Sequence, residues 1–338
     1  MPQPEDRLTL DALRLDPEEA VDEIVERLGE VVSRNLRKRG ALVGVSGGID
    51  SSVTAALCVR ALGPGKVMAL LMPEKESSDD TLDLSRLLVD HLGVESVLEE
   101  LSPILDAVGC YRRRDEAIQT VVPEYGPGWR AKLVLPSVLG GDRLPIFSVV
   151  VESPDGERSQ ARLTSGAYRA VVAATSFKQR TRKMLEYYHA DRLDYAVVGT
   201  PNRLEYDQGF FVKCGDGSAD LKPLAHLYKT QVYQLAELLG IPEEIRSRPP
   251  TTDTYSLPQT QDEFYFSVPY EVLDLCLYAL NHGVPAAAVA PEVGLSVADV
   301  ERIFHDIEGK RRATRPLHEP PFLLEPVPEI QTHTSASH

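Results

Sequence analysis

The sequence predicts an α/β protein built on a doubly wound, mostly parallel β-sheet. Short, almost continuously apolar runs, typical of strands buried on both faces, occur at residues 41–45, 67–72, 94–98 and 195–199. Helix-patterned segments alternate with these runs at 17–38, 51–62 and 79–92. Polar loops follow the first and the last of the four runs. Because open α/β sheets bind ligands at the C-terminal ends of their strands, these two loops are expected to face one pocket.

Composition narrows the function classes. The chain has 338 residues, a net charge of −15 and four scattered cysteines without a CxxC pair. The negative charge argues against a nucleic-acid partner, which usually requires a basic face. No apolar run approaches the ~20 residues of a membrane span, and the first residues lack a signal-peptide pattern. Cysteine usage favours free thiols in a reducing compartment, so a cytoplasmic protein without a membrane partner is expected.

The pattern changes between about residues 120 and 170. Segments 132–135, 145–151 and 160–163 resemble strands, with turn sequences at Gly140-Gly141-Asp142 and Ser153-Pro154-Asp155-Gly156. We interpret this segment as a β-rich insertion outside the main sheet, within a single domain spanning 1–325. Residues 326–338 are rich in Pro, His, Thr and Ser and are expected to be a disordered tail.

Residues 44–52, Gly-Val-Ser-Gly-Gly-Ile-Asp-Ser-Ser, join the first predicted strand to a helix. Glycines let the backbone approach an anion closely, and the unpaired N–H groups of a helix N-terminus favour phosphate. No lysine ends the loop, so it is not a Walker loop. An ordinary strand-to-helix turn is the alternative interpretation.

The Ser-Gly-Gly-x-Asp-Ser pattern resembles the pyrophosphate loop of the N-type ATP pyrophosphatases, a group with the adenine nucleotide alpha hydrolase-like fold. Further segments resemble the NAD synthase family: Gly199-Thr200 with Glu205, then 209–217, 220–224, Lys229, 248–253 and 258–274. The resemblance runs from about residue 20 to 315 outside the insertion. It implies ATP-dependent amidation of nicotinic acid adenine dinucleotide through an acyl-adenylate, with release of AMP and pyrophosphate.

The resemblance also implies roles for individual residues. ATP and pyrophosphate would contact Gly44, Ser46, Gly47, Gly48, Asp50, Ser51, Ser52, Thr200, Lys229 and Thr251. Mg²⁺, which prefers one or two carboxylates together with phosphate oxygens and water, would bind Asp50 and Glu205. Catalytic roles fall to Asp50, Lys229 and Asp216. The acid substrate would contact Ser176, Lys178, Arg180, Arg182 and Asp216.

Each of these residues also has a structural alternative. Asp50 and Thr251 could cap helices, Asp216 could be a turn residue, and Glu205 and Lys229 could be solvated surface charges. The cations of 178–182 could form a solvated basic face, although guanidinium groups suit phosphate well. Lys229 opens a predicted helix, where a cation opposes the helix dipole, and this placement suggests an anionic partner.

Substrate and nitrogen source are less constrained. Ser176 stands where the family has asparagine, so an amide ligase acting on a different carboxylic acid stays open, as does a non-catalytic ATP-binding regulatory protein. The tRNA-thiolating and lysidine-forming relatives would need a basic surface or paired cysteines.

About 40 residues precede the loop, fewer than a glutaminase domain needs, so the expected nitrogen donor is free ammonia or ammonia from a separate glutaminase. The family also implies a homodimer.

Overall fold

The computed structural model describes residues 8–78, 80–135, 139, 147–250, 254–260, 265–266 and 268–330. Its central sheet is parallel, in the order β3-β2-β1-β7. The four strands, β1 Gly40–Gly44, β2 Val67–Leu71, β3 Glu95–Leu98 and β7 Tyr195–Val198, coincide with the four predicted runs. The chain leaves β1 toward β3 on one side, and β7 lies on the other side of β1. The predicted ligand crevice therefore falls at a true switch point, between β1 and β7.

Helices cover both faces of this sheet. Side chains of β1 alternate: Val43 packs with α1, α2 and α8, whereas Leu42 packs with α4, α5 and α6. Both side chains are completely buried, which explains why the strand reads as a continuous apolar run. The helices are α1 Pro17–Glu30, α2 Ile49–Leu62, α3 Thr81–Leu92, α4 Ser102–Ala107, α5 Cys110–Gln119, α6 Ser165–Leu193, α7 Arg203–Gln208, α8 Lys229–Leu238, α9 Glu243–Arg246, α10 Tyr270–Asn281, α11 Ala286–Val293 and α12 Val297–His318.

The expected insertion is a separate antiparallel sheet in the order β4-β5-β6. Its strands are β4 Arg130–Val134, β5 Ser148–Glu152 and β6 Arg158–Arg162. Ser153–Gly156 makes the predicted turn: the Gly156 N–H donates to the Ser153 carbonyl at 2.9 Å, and Gly156 has φ +85°. One face of the sheet packs on α5 and α6. The other predicted turn, at 140–142, lies outside the described residues.

Near the N-terminus the chain forms a capped helix, whereas the last described residues lie outside any helix or strand. Asp16 caps α1 by accepting the backbone N–H groups of Glu18 and Glu19. The helix ends at Glu30 and continues as a π-turn over Val31–Asn35, within the predicted 17–38. Residues 326–330 form neither helix nor strand, and 331–338 lie outside the described residues. Among the described helices, none combines the length and the apolar character needed to cross a membrane.

Candidate active site

The loop after β1 is shaped by its glycines and serines. Gly47 has φ +68°, and a Cβ there would fall 2.7 Å from the Leu84 Cβ, so only glycine fits. The Oγ atoms of Ser51 and Ser52 donate to the Gly48 carbonyl at 3.0 and 2.9 Å. Gly48 precedes α2 and, in the described part of the chain, no side chain caps this helix. Its first N–H groups are therefore available to an anion.

The loop after β7 is locked by a capping box. The Asn202 side chain accepts the Glu205 N–H at 3.2 Å, and the Glu205 carboxylate accepts the Asn202 N–H at 3.1 Å. The amide of Asn202 also donates to Asp50 Oδ1 at 3.1 Å. This hydrogen bond joins the two loops that the strand pattern placed at one edge of the sheet. Asn202 was not among the predicted site residues, although Asn-x-x-Glu before an apolar residue resembles a capping-box signature.

Lys229 completes this group from a third element. Its Nζ pairs with Asp50 Oδ2, and its side chain is 2 % exposed. Burial lowers the pKa of Lys229, but the charges of Asp50 and Glu205 outweigh burial and hold it above the ordinary value. Asp274 on α10 fixes the start of α8, since it accepts the N–H groups of Lys229 and Thr230 at 3.2 and 2.7 Å.

The two carboxylates make the site electrostatically unbalanced. Burial, together with the nearby charge of Asp50, raises the pKa of Glu205 to about 8. The cation of Lys229 offsets only part of this repulsion. A second cation placed between Asp50 and Glu205 would stabilise both ionised carboxylates.

Both loops line one cavity of about 430 Å³. Most residues proposed from the sequence reach it: Gly44, Ser46, Gly48, Asp50, Ser51, Ser176, Arg182, Thr200, Glu205, Asp216 and Lys229. Gly47 and Ser52 shape the loop from behind and are not in the lining. Ser52 is completely buried, so two loop hydroxyls, those of Ser46 and Ser51, face the cavity instead of the expected three. Thr251 lies outside the described residues.

Two of the expected substrate cations are placed elsewhere. Lys178 is 1 % exposed, and its ammonium donates to Glu74, Glu76 and the Thr254 carbonyl at 2.6, 2.7 and 2.9 Å. Arg180 is exposed and donates to the Lys213 carbonyl at 3.3 Å. Neither side chain lines the cavity, which corrects the expectation that all three cations of this helix face the substrate. The sequence shows that Lys178 and Arg182 share a helix face, but it does not show the buried acids beside Lys178.

The remaining polar wall comes from α6 and the 209–217 segment. Arg182 and the Lys183–Glu186 pair, joined at 2.5 Å, line the cavity. Burial raises the pKa of Glu186 despite the charge of Lys183. Asp216 accepts the Val212 N–H at 2.7 Å, and burial raises its pKa as well. Asp216 thus shapes its own turn while facing the cavity. Lys183, Glu186 and Asp274 had not been singled out from the sequence.

Comparisons with known proteins agree with this geometry. The model of the family described as NAD synthase matches residues 20–124 and 152–314. The chain is 57 % identical over 321 residues to the NH3-dependent NAD+ synthetase of Rhizobium meliloti, covering 95 % of this chain and 96 % of that protein. It is 36 % identical to the enzyme of the same name from Thermotoga maritima, covering 81 % and 90 %.

Solved structures share the fold. An NMN synthetase from Francisella tularensis superposes with a TM-score of 0.62 at 21 % identity, covering 92 % of this chain and 99 % of that one. An NH3-dependent NAD synthetase from Campylobacter jejuni gives 0.60 at 21 % identity, covering 92 % and 100 %. At these identities the likeness concerns the fold alone. Taken with the pyrophosphate loop, the Asp50–Lys229 pair and the family match over most of the sequence, these findings place the chain in the NAD synthase family.

Proposed function

We propose that the protein is an ammonia-dependent NAD+ synthetase, a ligase that amidates nicotinic acid adenine dinucleotide at the expense of ATP. The observation that carries the proposal is the convergence of the glycine-rich loop, Asp50, Glu205 and Lys229 on one cavity at the sheet's switch point. The names of relatives that are 53–57 % identical over nearly the whole chain support the same activity.

The uncapped N-terminus of α2 and the hydroxyls of Ser46 and Ser51 are suited to the β- and γ-phosphates of ATP. No lysine lies within the loop, so the cation comes from Lys229, whose ammonium is buried beside Asp50. Pyrophosphate is therefore the anion that the loop releases, and AMP is the leaving group of the second step. Thr200 lines the same cavity, and Thr251 keeps its proposed place at the ATP phosphates.

The donor set fits Mg²⁺. In the described residues, no group of three or more His, Cys, Asp or Glu side chains could hold a metal by itself. Asp50 and Glu205 would supply two carboxylates, which matches a Mg²⁺ ion that takes its other ligands from phosphates and water. Burial and the charge of Asp50 raise the pKa of Glu205, and a bound cation would favour its ionised form. The bound ion would neutralise charge on the triphosphate.

Amide formation requires a carboxylate oxygen to become a leaving group. The substrate carboxylate attacks the α-phosphate of ATP, which breaks the bond to pyrophosphate and gives an acyl-adenylate. Ammonia then attacks the carbonyl carbon, AMP departs, and one proton is lost from nitrogen. Arg182 and Asp216, and Ser176 at the substrate carboxylate, line the cavity where the dinucleotide would bind. Lys178 and Arg180 are not assigned to the substrate in this proposal.

We assign the protein to the cytoplasm and to a homodimer, on the basis of its cysteine usage and family. Ammonia arrives free or from a separate glutaminase. Of the two alternatives named above, a ligase for a different acid is suggested by Ser176 and by the insertion. The presence of Asp50, Glu205 and Lys229 together argues against a non-catalytic ATP-binding protein.

One assay separates these functions. The purified protein with ATP, Mg²⁺ and ammonium is expected to form AMP, pyrophosphate and NAD+ only when nicotinic acid adenine dinucleotide is present. Nicotinic acid, its mononucleotide and aspartate serve as controls. Formation of ADP and phosphate would overturn the mechanism, whereas AMP release with another acid would reassign the substrate. Glutamine in place of ammonium is expected to give no turnover, and glutamine-dependent NAD+ formation would refute the ammonia assignment.

A further inference from the structure

One face of α6 runs along the whole cavity. The lining residues on this helix follow helical spacing: Tyr168, Val172, Thr175, Ser176, Gln179, Arg182, Lys183 and Glu186. The eighteen residue-to-residue steps from Tyr168 to Glu186 correspond to ~27 Å of helix at the α-helical rise per residue. The cavity is therefore elongated, with two chemically different ends.

The Glu186 end is the pyrophosphate-loop end. A Cβ on Gly44 would lie 3.1 Å from Glu186 Oε1, which places this carboxylate against the pyrophosphate loop. The opposite end is aromatic. The rings of Phe147 and Tyr168 stack there with centroids 4.3 Å apart and planes 19° apart, and both side chains line the cavity. Their neighbours on α6, Val172 and Thr175, carry no charge.

Phe147 belongs to the inserted sheet. It immediately precedes β5, and its carbonyl accepts the Leu163 N–H at 3.1 Å. Leu133, Val149 and Val151 of the same sheet are completely buried with α5 and α6, so the position of the ring is set by a packed core. The NAD synthase family model matches 20–124 and 152–314, and Phe147 lies in the gap between these matches. The aromatic end is thus built partly by a segment that the family model does not describe.

We propose that the inserted sheet is a substrate-recognition element, in which Phe147 with Tyr168 stacks on the adenine ring of the dinucleotide. This inference rests on the proposed function. The reacting carboxylate must lie near the α-phosphate of ATP, which we place beside Ser176, with the β- and γ-phosphates extending toward the loop end. The adenine is the opposite end of the dinucleotide and a flat ring, which an uncharged aromatic face favours. The Phe147–Tyr168 wall lies ~12 Å along α6 from Ser176, on the side away from the pyrophosphate loop.

The test is a split between Michaelis constants. Phe147→Leu keeps an apolar side chain but removes the ring, and we expect the KM for the dinucleotide to rise about tenfold, a typical effect of losing one base-stacking ring. The kcat and the KM for ATP are expected to stay within about twofold. Phe147→Tyr is expected to restore the KM. Trp129→Leu is the matched control: Trp129 adjoins the same sheet and packs against Tyr125, but it does not line the cavity, so its loss should leave the KM unchanged.

Three results would overturn the inference. These are a dinucleotide KM within twofold of wild type in Phe147→Leu, an equal rise in Trp129→Leu, or a rise in the KM for ATP instead. If Phe147→Leu does not fold, Tyr168→Leu gives the same readout from the α6 side. If the wild-type protein releases no AMP with the dinucleotide, the proposed function fails. If wild type turns over normally and the variants keep its KM, only the inference about the sheet fails.

Discussion

Replacing Lys178 by Met is expected to destabilise the fold by about 3–5 kcal/mol, the usual cost of removing one partner from a buried ion pair. The side chains of Lys178 and Glu74 are 1 % and 0 % exposed, and that of Glu76 is 9 % exposed. Without the ammonium, Glu74 keeps only neutral donors such as the Tyr111 hydroxyl at 2.6 Å. Glu76 keeps Arg114, which donates to both of its oxygens at 2.6–2.7 Å. The larger part of the loss is therefore expected at Glu74.

Equilibrium unfolding in urea measures this change, with Lys75→Met as the matched control. Lys75 pairs with Asp106 at 3.3 Å, but the two side chains are 48 % and 60 % exposed. Its removal should cost at most ~1 kcal/mol, as is usual for surface pairs. Adding Glu74→Gln to Lys178→Met is expected to recover part of the stability. A change below ~1 kcal/mol in Lys178→Met, together with a raised substrate KM, would refute the structural role and restore the phosphate-binding role that the sequence suggested.

The same ion pair predicts a dependence on pH. Burial alone would raise the pKa of Glu76, but the charges of Lys178 and Arg114 outweigh burial and lower it from the ordinary 4.5. The folded state therefore holds this carboxylate ionised more readily than the unfolded state does. Its contribution to stability is present above about pH 4.5 and is lost as the pH falls further. In Lys178→Met this acid-side loss should be smaller than in wild type, as urea midpoints between pH 3 and 6 would show.

Asp50→Asn and Glu205→Gln are each expected to lower AMP release by at least about a hundredfold, because metal-site charges typically contribute several kcal/mol; activity within about threefold of wild type would exclude the metal role. Since Asp50 is also the partner of the buried Lys229 ammonium, urea unfolding of each variant must show that it is folded under the assay conditions. Asp274→Ala removes the acceptor for the N–H groups of Lys229 and Thr230 and should cost ~1–2 kcal/mol in urea unfolding, as loss of a helix cap does, with Asp274→Asn less affected. Burial raises the pKa of Asp274 to about 7, above its ordinary 3.8, so wild type should lose stability relative to Asp274→Asn as the pH rises from about 4 to 7, and a constant difference would contradict this.

Local signals in the sequence predicted much of the fold. β1, β2 and β7 are continuous apolar runs because these strands are buried on both faces. β3 lies at the edge of the sheet and is mostly exposed, so the burial expected for its run was wrong although the strand itself was predicted. The glycine loop is equally local, since the positive φ of Gly47 and the start of α2 at Ile49 depend on neighbours in the chain. The Ser153–Gly156 turn was predictable for the same reason.

Partners distant in sequence could not be inferred in this way. The Asn202 amide donates a hydrogen bond to Asp50, which lies 152 positions earlier in the chain. The Lys229 backbone N–H donates to Asp274, which lies 45 positions later. Helical spacing places Lys178 and Arg182 on one face of α6. In the structure, however, Lys178 forms an ion pair with Glu74, whereas Arg182 lines the cavity. A helix pattern gives the direction of a side chain relative to its own helix and not the charge of the element packed against it.

The sequence by itself determined the α/β class and the two loops at the strand ends, and it suggested residue types for phosphate and Mg²⁺ chemistry, because each depends on periodicity or on short contiguous motifs. Only the tertiary structure showed that Arg182 lines the cavity, whereas Lys178 is paired with the buried acids Glu74 and Glu76. It also showed that Phe147, beside the inserted sheet, lines the cavity. Those outcomes depend on the packing of α6 against other elements of the fold, and such long-range packing leaves no local pattern in the chain.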